Sequence, residues 1–456
     1  MLSLYNSLSR QKEEVSSDNG VVKMYSCGPT VYYFPHIGNM RAYLFMDQIR
    51  RTIKFNGLKV LGVINITDVG HLTSDADLGD DKMLVASKRE NKTPWEIAKF
   101  YQEKFEEDIH KLNIDMPSIV AKATDHIAEM IEFVEVLLKK GHAYETKDGI
   151  YFSVESFPEY GALSRISLED KQAGARIEVD EEKRHPADFA LWIKAPKEHI
   201  MQWQSPWGMG YPGWHIECSA MGKKYLGDHI NVHTGGIDHL PVHHENEIAQ
   251  NNCYWGKQVV SLWGHVAFLQ IDGGKMSKSL GNLFTLDDLD KKGYSPLDFR
   301  FFNFSASYRK PINFTWDSLT AAKVSLAKLK ASTMLHKGQP NKVSKEKLEK
   351  FEKDFLNAIN DDLNFPLALG IVWEIVKSEP SNDIFELLVK LDRVLGLDLG
   401  KEEKIVLPKE VEELVCEREQ ARKNKDYRKS DELRDSIASL GFAVKDTKDG
   451  QIISKN

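Results

Sequence analysis

Cysteine is scarce in this sequence, and its four cysteines lie far apart, at Cys27, Cys218, Cys253 and Cys416. This number and spacing exclude a disulfide framework, so each cysteine is expected to be a buried apolar group, a metal ligand or a nucleophile in a reducing compartment. Long apolar runs are also missing, which excludes a membrane-spanning helix. The first segment, Met1–Glu14, is polar and lacks the apolar core of a secretory signal. We therefore expect a cytoplasmic protein without a membrane partner.

An excess of positive charge is missing as well. The chain has 61 Lys and Arg residues against 68 Asp and Glu residues, which gives a formal net charge of −7. A nucleic acid would therefore have to be held by local basic patches rather than by the field of the whole molecule. The 456 residues, 41% hydrophobic and 28% charged, are enough for about two to four domains with their own cores.

The hydrophobic pattern at the start of the chain predicts a strand, a helix and a second strand. The strands are Val21–Cys27 and Leu58–Ile66, and the helix between them runs from about 38 to 55. Segments of this length form a right-handed unit with parallel strands. Further strand-like runs occur at Ile230–His233 and Leu262–Ile271. The pattern therefore predicts an α/β fold with a parallel sheet.

The remaining sequence is mostly helical. A capping box at Thr93 starts a helix that should reach about Leu112, and the segment Glu410–Leu440 reads as one more helix. The predicted division of the chain is a split α/β domain at 1–71 and 206–315, an insertion at 72–205, a helical region at 316–400 and a small C-terminal domain at 401–456.

Two loops could bind phosphate. In the turn Pro35–Asn39, the start of a helix offers free N–H groups to an anion, and His36 could donate to a phosphate oxygen. The alternative is a structural histidine before a helix. The segment Lys275–Ser279 has two lysines and two serines between glycines. It could clamp a polyphosphate, or it could be an ordinary charged surface loop.

A third group of residues has the chemistry of a metal site. His243 and Glu247 are four residues apart at the expected start of a helix, so their side chains share one face. Together with Cys27 and Cys218 they would offer two thiolates, an imidazole and a carboxylate, which suits zinc. The alternative is two buried cysteines and a polar helix end.

Several longer segments closely resemble cysteinyl-tRNA synthetases, a family of class I aminoacyl-tRNA synthetases. The resemblance extends along essentially the whole chain, including ARKNKDYRKSDELRDSI at 421–437. The segments with the most specific matches are CGPTVYYFPHIGNMR at 27–41, NITDV at 65–69, GWHIECSAM at 213–221, HHENEIAQ at 243–250 and GGKMSKSLGN at 273–282.

The resemblance implies an activity and a fold. The enzyme would activate L-cysteine with ATP and Mg²⁺, form cysteinyl-adenylate and pyrophosphate, and transfer cysteine to the 3′ end of tRNA(Cys). The fold would be a Rossmann-like catalytic domain with a connective insertion. A helical domain at 316–400 would bind the anticodon stem, and a small domain at 401–456 would recognise the anticodon.

The resemblance also implies roles for particular residues. The ligands of one Zn²⁺ per chain would be Cys27, Cys218, His243 and Glu247. The catalytic residues would be His36, Asn39, Lys275 and Lys278, and ATP would contact His36, Gly38, Asn39, Asp238 and Lys278. The cysteine pocket would include Thr67 and Trp214. No role is implied for Cys253 or Cys416.

The sequence departs from the family pattern at three places. Asn39 stands where the family often has histidine, Ile237 stands where it often has serine, and the acidic loop 69–81 is long.

Two other functions stay open at this stage. One is a ligase that passes activated cysteine to a small amine, although such a relative lacks the anticodon-binding helices. The other is a non-catalytic paralogue that binds tRNA or zinc, although the intact Lys275–Ser279 loop argues against it. A basic cluster favours tRNA over a small amine, and its members are Arg422, Lys423, Lys425, Arg428 and Lys429.

Overall fold

The structure is a computed structural model that describes residues 1–70, 82–166, 182–196, 199–274, 276, 281–402, 408–447 and 450–455. The chain forms two compact units, Met1–Leu399 and Gly400–Asn456. Each unit has its own core, and each is described by itself.

The first unit is built on a sheet of five parallel strands. Their order across the sheet is Val260–Val266, Ile230–Gly236, Val21–Ser26, Lys59–Ile66 and Ile119–Lys122. Most residues of the strand Ile230–Gly236 and of the second half of Lys59–Ile66 are buried, because both faces of a parallel sheet are covered. This sheet confirms the predicted α/β fold.

The helix Ile37–Phe55 covers one face of the sheet, within one residue of the range expected. It begins at a capping box in which the ring of His36 accepts from the N–H of Asn39, and the side chain of Asn39 accepts from the N–H of His36. Its apolar stripe is fully buried, as at Ile49 and Ile53. The sequence that suggests phosphate binding is therefore also the sequence that starts this helix.

A second sheet is antiparallel. Its strands, in spatial order, are Ala143–Glu145, Gly149–Phe152, Phe189–Lys194, Gly208–Pro212 and Trp203–Ser205. The expected insertion, 72–205, does not coincide with the strands of the antiparallel sheet. Ile119–Lys122 lies inside the expected insertion but pairs with the strand Lys59–Ile66 of the parallel sheet. Gly208–Pro212 lies outside it but pairs with Phe189–Lys194.

Shorter strands and many helices complete the first unit. Two-stranded sheets pair Ser3–Asn6 with Gln11–Glu14 and Leu269–Ile271 with Ile312–Phe314. The other helices are Lys82–Glu90, Pro94–Lys111, Ile127–Lys139, Trp214–Leu226, His243–Trp255, Leu286–Lys291, Pro296–Asn303, Trp316–Met334, Lys345–Asn360, Phe365–Ile375 and Asn382–Leu395. The capping box at Thr93 is present as expected.

The second unit has two helices and a hairpin. The helices are Lys409–Lys423 and Tyr427–Ser439, and the antiparallel strands are Phe442–Thr447 and Gly450–Lys455. The prediction of one helix over Glu410–Leu440 is therefore wrong. The helix breaks because Lys425 adopts a left-handed conformation with φ of 59°, and Asp426 caps the next helix. Among all the helices that the structure describes, none is long and apolar enough to cross a bilayer.

A buried arginine joins distant parts of the first unit. Arg300 is 0% exposed and forms an ion pair with Asp47, which is also 0% exposed. It donates to the carbonyl oxygens of Leu395 at 2.6 Å, Leu112 at 3.0 Å and Asn113 at 3.1 Å. One guanidinium thus holds the sheet-covering helix Ile37–Phe55, the loop after Pro94–Lys111 and the end of Asn382–Leu395 together.

Replacing this arginine should destabilise the fold. Arg300→Met should lower the free energy of unfolding by about 3 kcal/mol, because it removes the buried ion pair with Asp47 and the donor to the carbonyl oxygens of Leu112 and Leu395. Asp47 keeps its hydrogen bonds from Arg51 and the N–H of Asp115. The matched control is Lys12→Met, which breaks an ion pair with Asp361 whose side chains are 46% and 59% exposed. That change should cost about 1 kcal/mol or less. Urea unfolding followed by circular dichroism measures both, and equal losses would contradict the proposed importance of Arg300.

Candidate active site and metal centre

The candidate site lies where the parallel strands end. Strands Val21–Ser26, Lys59–Ile66 and Ile230–Gly236 run in the same direction, so the residues after them meet at one edge of the sheet. A cavity of about 690 Å³ opens at this edge. It is lined by most of the residues predicted from the sequence, namely Cys27, His36, Gly38, Asn39, Thr67, Trp214, Cys218, Asp238 and His243.

Glu247 lies behind the cavity wall, 1% exposed, and contacts the lining residue His243. The predicted residues Lys275 and Lys278 lie outside the described residues. Their neighbour Met276 lines the cavity.

Four predicted metal ligands form one cluster. The Sγ atoms of Cys27 and Cys218, a ring nitrogen of His243 and a carboxylate oxygen of Glu247 all lie within 4.8 Å of one another. His243 Nε2 is 3.0 Å from Glu247 Oε1 and 3.6 Å from Cys218 Sγ. Because His243 and Glu247 are one turn apart on the helix His243–Trp255, the helix itself sets their spacing. This donor set fits a metal ion that prefers nitrogen and sulfur ligands.

A second donor set overlaps the first, and the sequence did not indicate it. Cys27, His233, His244 and Glu247 also lie within 4.8 Å of one another. The first set fits a metal better, because it has two thiols and three of its members line the cavity, where a substrate can reach. His233 and His244 contact members of the first set from behind: His233 Nε2 lies 2.9 Å from Glu247 Oε2, and His244 Nε2 lies 3.2 Å from Cys27 Sγ while its Nδ1 lies 2.7 Å from His265 Nε2. We read them as supports behind the ligands.

Burial and charge fix the protonation of the cluster. Burial raises the pKa of the Cys27 thiol well above its usual range, and the neighbouring Cys218 and Glu247 raise it further. Burial alone would lower the pKa of His243, but Glu247 and Cys218, through their charges and hydrogen bonds, together outweigh it and raise this pKa to about 10. Burial alone would raise the pKa of Glu247, but His233 and His243 lower it below its usual value. The metal-free cluster thus holds protons that a bound cation would displace.

Two predicted pocket residues stand beside the cluster. The ring of Trp214 stacks on that of His243, with centroids 4.5 Å apart and planes 25° apart. Thr67 is 1% exposed, and its hydroxyl donates to Glu217 Oε2 at 2.7 Å while accepting from Asn65 Nδ2 at 3.0 Å. Asn65 also accepts from the N–H of Gly28 at 2.7 Å. The pocket wall is therefore tied to the strand that carries Cys27.

The other predicted residues lie on two loops of the cavity. His36 and Asn39 cap the helix Ile37–Phe55, so Asn39 uses its side chain to hold the turn. Asp238 follows the strand Ile230–Gly236 in a short 3₁₀ turn, and its side chain is 62% exposed. Its carboxylate is therefore accessible to a ligand in the cavity.

Comparison with known proteins is decisive for the family. The family described as "tRNA synthetases class I (C) catalytic domain" matches residues 13–324, and the "Cysteinyl-tRNA ligase anticodon binding domain" matches residues 406–453. The cysteine–tRNA ligase of Treponema denticola is 41% identical over 481 residues, which covers 98% of both chains. That of Thermus thermophilus is 42% identical over 475 residues, again 98% of both chains.

The chain belongs to the cysteine–tRNA ligase family. A solved structure of Mycobacterium tuberculosis methionyl-tRNA synthetase bound by methionyl-adenylate has a TM-score of 0.57 at 13% identity, and the match covers 82% of this chain and 90% of that one. This likeness supports the class I synthetase fold. Membership confirms the predicted family, and nothing favours the small-amine ligase or the non-catalytic paralogue.

The structure places four residues around the predicted ligands that the sequence did not indicate, namely Glu217, His233, His244 and His265. Glu217 and His244 are each adjacent to a predicted ligand, in WHIEC and HHENE. A helical wheel would place them on neighbouring faces, which was the available signal. His233 and His265 lie in separate strands, and only the parallel pairing of Ile230–Gly236 with Val260–Val266 brings them together.

The close approach at Gly28 yields a test. An added Cβ there would lie 1.6 Å from the backbone oxygen of Asn65, so Gly28→Ala must push two strand ends apart. We expect it to lower the free energy of unfolding by about 1–3 kcal/mol and to weaken binding of a divalent metal.

The matched control is Gly370→Ala, in the exposed middle of the helix Phe365–Ile375, where no described atom lies within 4 Å of the added group. It should raise stability by about 0.5–1 kcal/mol, since alanine favours a helix. Urea unfolding and metal titration measure both variants. Metal binding by Gly28→Ala at wild-type affinity would contradict the packing argument.

Proposed function

We propose that this chain loads L-cysteine onto tRNA(Cys) in two steps within the described cavity, and that a zinc ion on Cys27, Cys218, His243 and Glu247 selects the amino acid. The observation that carries the proposal is that the thiol-rich metal cluster and the helix start at His36 line the same cavity, which has a volume of about 690 Å³. An amino acid held at the cluster would present its carboxylate towards a nucleotide held at the helix start.

Activation of cysteine needs little covalent chemistry from the protein. The cysteine carboxylate would attack the α-phosphorus of ATP to give cysteinyl-adenylate, and pyrophosphate would leave; Mg²⁺ would enter with ATP and offset the phosphate charge. His36 and the N–H groups at the start of Ile37–Phe55 would stabilise the charge that develops on phosphate. Lys278, and Lys275 beside it, would stabilise the leaving pyrophosphate. Asp238 would accept hydrogen bonds from the ribose.

Asn39 acts indirectly in this proposal. Its side chain is bonded to the backbone of His36 at 3.1 Å, so it holds the turn that presents the histidine. The departure from the common histidine at this position is therefore compatible with activity. Gly38 keeps the turn open, because an added Cβ would lie 3.0 Å from the His36 ring.

Selection of cysteine over serine rests on the cluster. A bound zinc ion would supply a Lewis acid that prefers a thiolate to a hydroxyl and lowers the pKa of the thiol. An apolar pocket alone separates such close analogues poorly. Trp214 and Thr67 form the remaining wall. Trp214 is held by stacking on His243, and Thr67 is held by its hydrogen bond to Glu217. Because both side chains are held in place, the amino acid would have little freedom to move.

Recognition of the tRNA would use the C-terminal third of the chain, residues 316–456. Residues 316–400 are proposed to hold the anticodon stem, and 401–456 to read the anticodon. The basic cluster is partly neutralised, since Arg422 pairs with Asp446 at 3.1 Å and Lys423 with Glu419 at 2.8 Å. Its contribution would be salt-sensitive contacts to phosphate rather than base reading. We also propose a cytoplasmic location, because thiol ligands need a reducing compartment.

The activity is tested by cysteine-dependent ATP–pyrophosphate exchange and by charging of tRNA(Cys). Wild-type protein should perform both. Lys278→Ala should slow exchange by orders of magnitude without changing metal content, because its charge acts mainly during transfer. Lys291→Ala, an exposed lysine on the helix Leu286–Lys291, is the control and should be unaffected. Near-normal exchange by Lys278→Ala would remove this lysine from the mechanism.

The metal is tested by a matched pair of buried cysteines. Cys218→Ser should lose tightly bound zinc and most discrimination against serine, because a neutral hydroxyl is a poor zinc ligand. Cys253→Ser is the control, since Cys253 is also buried, at 6% exposure, but belongs to neither donor set. It should keep one zinc per chain.

Metal analysis and exchange assays with cysteine and serine give the result. Active wild-type enzyme without zinc would refute the metal assignment. So would a zinc-free Cys218→Ser that still rejects serine.

A further inference from the structure

Two exposed aromatic rings stand at the cavity on the loop before the helix Ile37–Phe55. Tyr33 is 40% exposed and Phe34 is 37% exposed, and both line the cavity. Neither ring is needed for the metal cluster or the phosphate turn. Exposed apolar surface beside a binding cavity typically marks a contact with a ligand or partner.

These rings are held rigidly from beneath. The ring of Phe34 meets that of Tyr101 edge-on, with centroids 5.1 Å apart and planes 85° apart, and that of Phe100 at 6.0 Å and 76°. Tyr33 stacks on the same Tyr101 at 6.3 Å. Tyr101 is only 3% exposed. The exposed rings therefore have a fixed base, and a ligand that stacks on them does not have to order them first.

The surroundings of the rings are positively charged. The guanidinium of Arg89 lies 5.1 Å from the Tyr33 ring centroid, and Lys92 Nζ lies 4.6 Å from that of Phe100. One carboxylate, Glu90, pairs with both at 2.6 Å and 3.6 Å. Glu96 also interacts with Lys92, and Lys82, which lies 5.9 Å from the Tyr32 ring centroid, lines the cavity. Among these described residues, three cations face two carboxylates, which leaves a net positive charge. Aromatic rings together with cations are the chemistry that binds single-stranded nucleic acid.

We propose that Tyr33 and Phe34 form a stacking platform for the unpaired bases at the 3′ end of the tRNA. This inference rests on the proposed function, which requires the terminal ribose to enter this cavity. The unpaired end of a tRNA offers base faces for the rings and phosphates for Arg89 and Lys92. The adenine of ATP is the other possible base. The charge around the rings favours tRNA, because the proposed ATP phosphate contacts lie at the helix start instead.

The rings are tested by removing their aromatic character while keeping apolar side chains at both positions. The double variant Tyr33→Leu with Phe34→Leu should raise the KM for tRNA by about tenfold or more, the loss expected from one or two stacked bases. Its ATP–pyrophosphate exchange and its KM for ATP should stay within about twofold of wild type. Tyr33→Phe and Phe34→Tyr keep the rings and should charge tRNA normally. Trp95→Leu is the control, because Trp95 is 50% exposed but is not among the described residues that line the cavity.

A binding cycle then locates the contact on the tRNA. Wild-type protein should bind tRNA(Cys) about tenfold more tightly than the same tRNA trimmed of its unpaired 3′ nucleotides. The double leucine variant should bind both forms alike. An equal loss of affinity for intact and trimmed tRNA would overturn the platform.

Kinetics supply the other decisive outcomes. A raised KM for ATP with unchanged tRNA binding would assign the rings to the nucleotide and overturn the platform. Unchanged kinetics in the double variant would overturn it too. Failure of wild-type protein in exchange and charging would refute the proposed function, whereas the binding cycle would still decide whether the rings hold the tRNA end.

Discussion

The burial of two thiols, an imidazole and a carboxylate within 4.8 Å of one another is the constraint on which the site depends. Such groups are costly to bury unless each finds a partner. Here the partners include a surrounding layer of histidines: His233 contacts the second oxygen of Glu247, His215 contacts Nδ1 of His243, and His244 contacts the Sγ of Cys27. The rest of the site is arranged around this cluster, because removing a member leaves another buried polar group without its partner. A divalent cation would relieve the same constraint by displacing the protons that Cys27 and His243 hold.

The parallel sheet is what makes this cluster possible from distant sequence. Cys27 directly follows one strand, and its N–H bonds to the carbonyl oxygen of Thr234 in the next at 3.1 Å. The helices Trp214–Leu226 and His243–Trp255 flank the strand Ile230–Gly236 in sequence and bring Cys218, His243 and Glu247 to the same edge. Parallel strands put all their carboxyl ends together, so a donor placed after a strand meets donors carried by neighbouring helices. Gly28 shows how closely the strand ends approach, because no side chain larger than hydrogen fits beside Asn65.

Local signals in the sequence were sufficient for the first helix of the parallel-sheet unit and for the shared face of His243 and Glu247. The helix at Ile37–Phe55 follows from its capping residues, and the spacing of His243 and Glu247 follows from the helix period. Features set by tertiary packing were not predictable in this way. The four-way role of Arg300 and the layer of His233 and His265 depend on which strands and helices become neighbours. The break at Lys425 was missed because a left-handed lysine has no strong local signature. The resemblance to a known family supplied the residue roles that spacing alone left open, and those roles stay predictions.

One cavity combines two kinds of recognition with opposite requirements. Cysteine and serine differ by one atom, so selection of cysteine needs a binding group that prefers sulfur and a rigid pocket wall. In the proposed function, the cluster and the Trp214–His243 stack would meet that need. The 3′ end is the same in every tRNA. Stacking on Tyr33 and Phe34 would therefore raise the affinity for any tRNA and would not distinguish tRNA(Cys) from other tRNAs. Identity must then be read elsewhere, and the match of residues 406–453 to an anticodon-binding domain supplies the means. A selective amino-acid pocket and a tolerant nucleic-acid platform can therefore share an entrance without competing for the same chemistry.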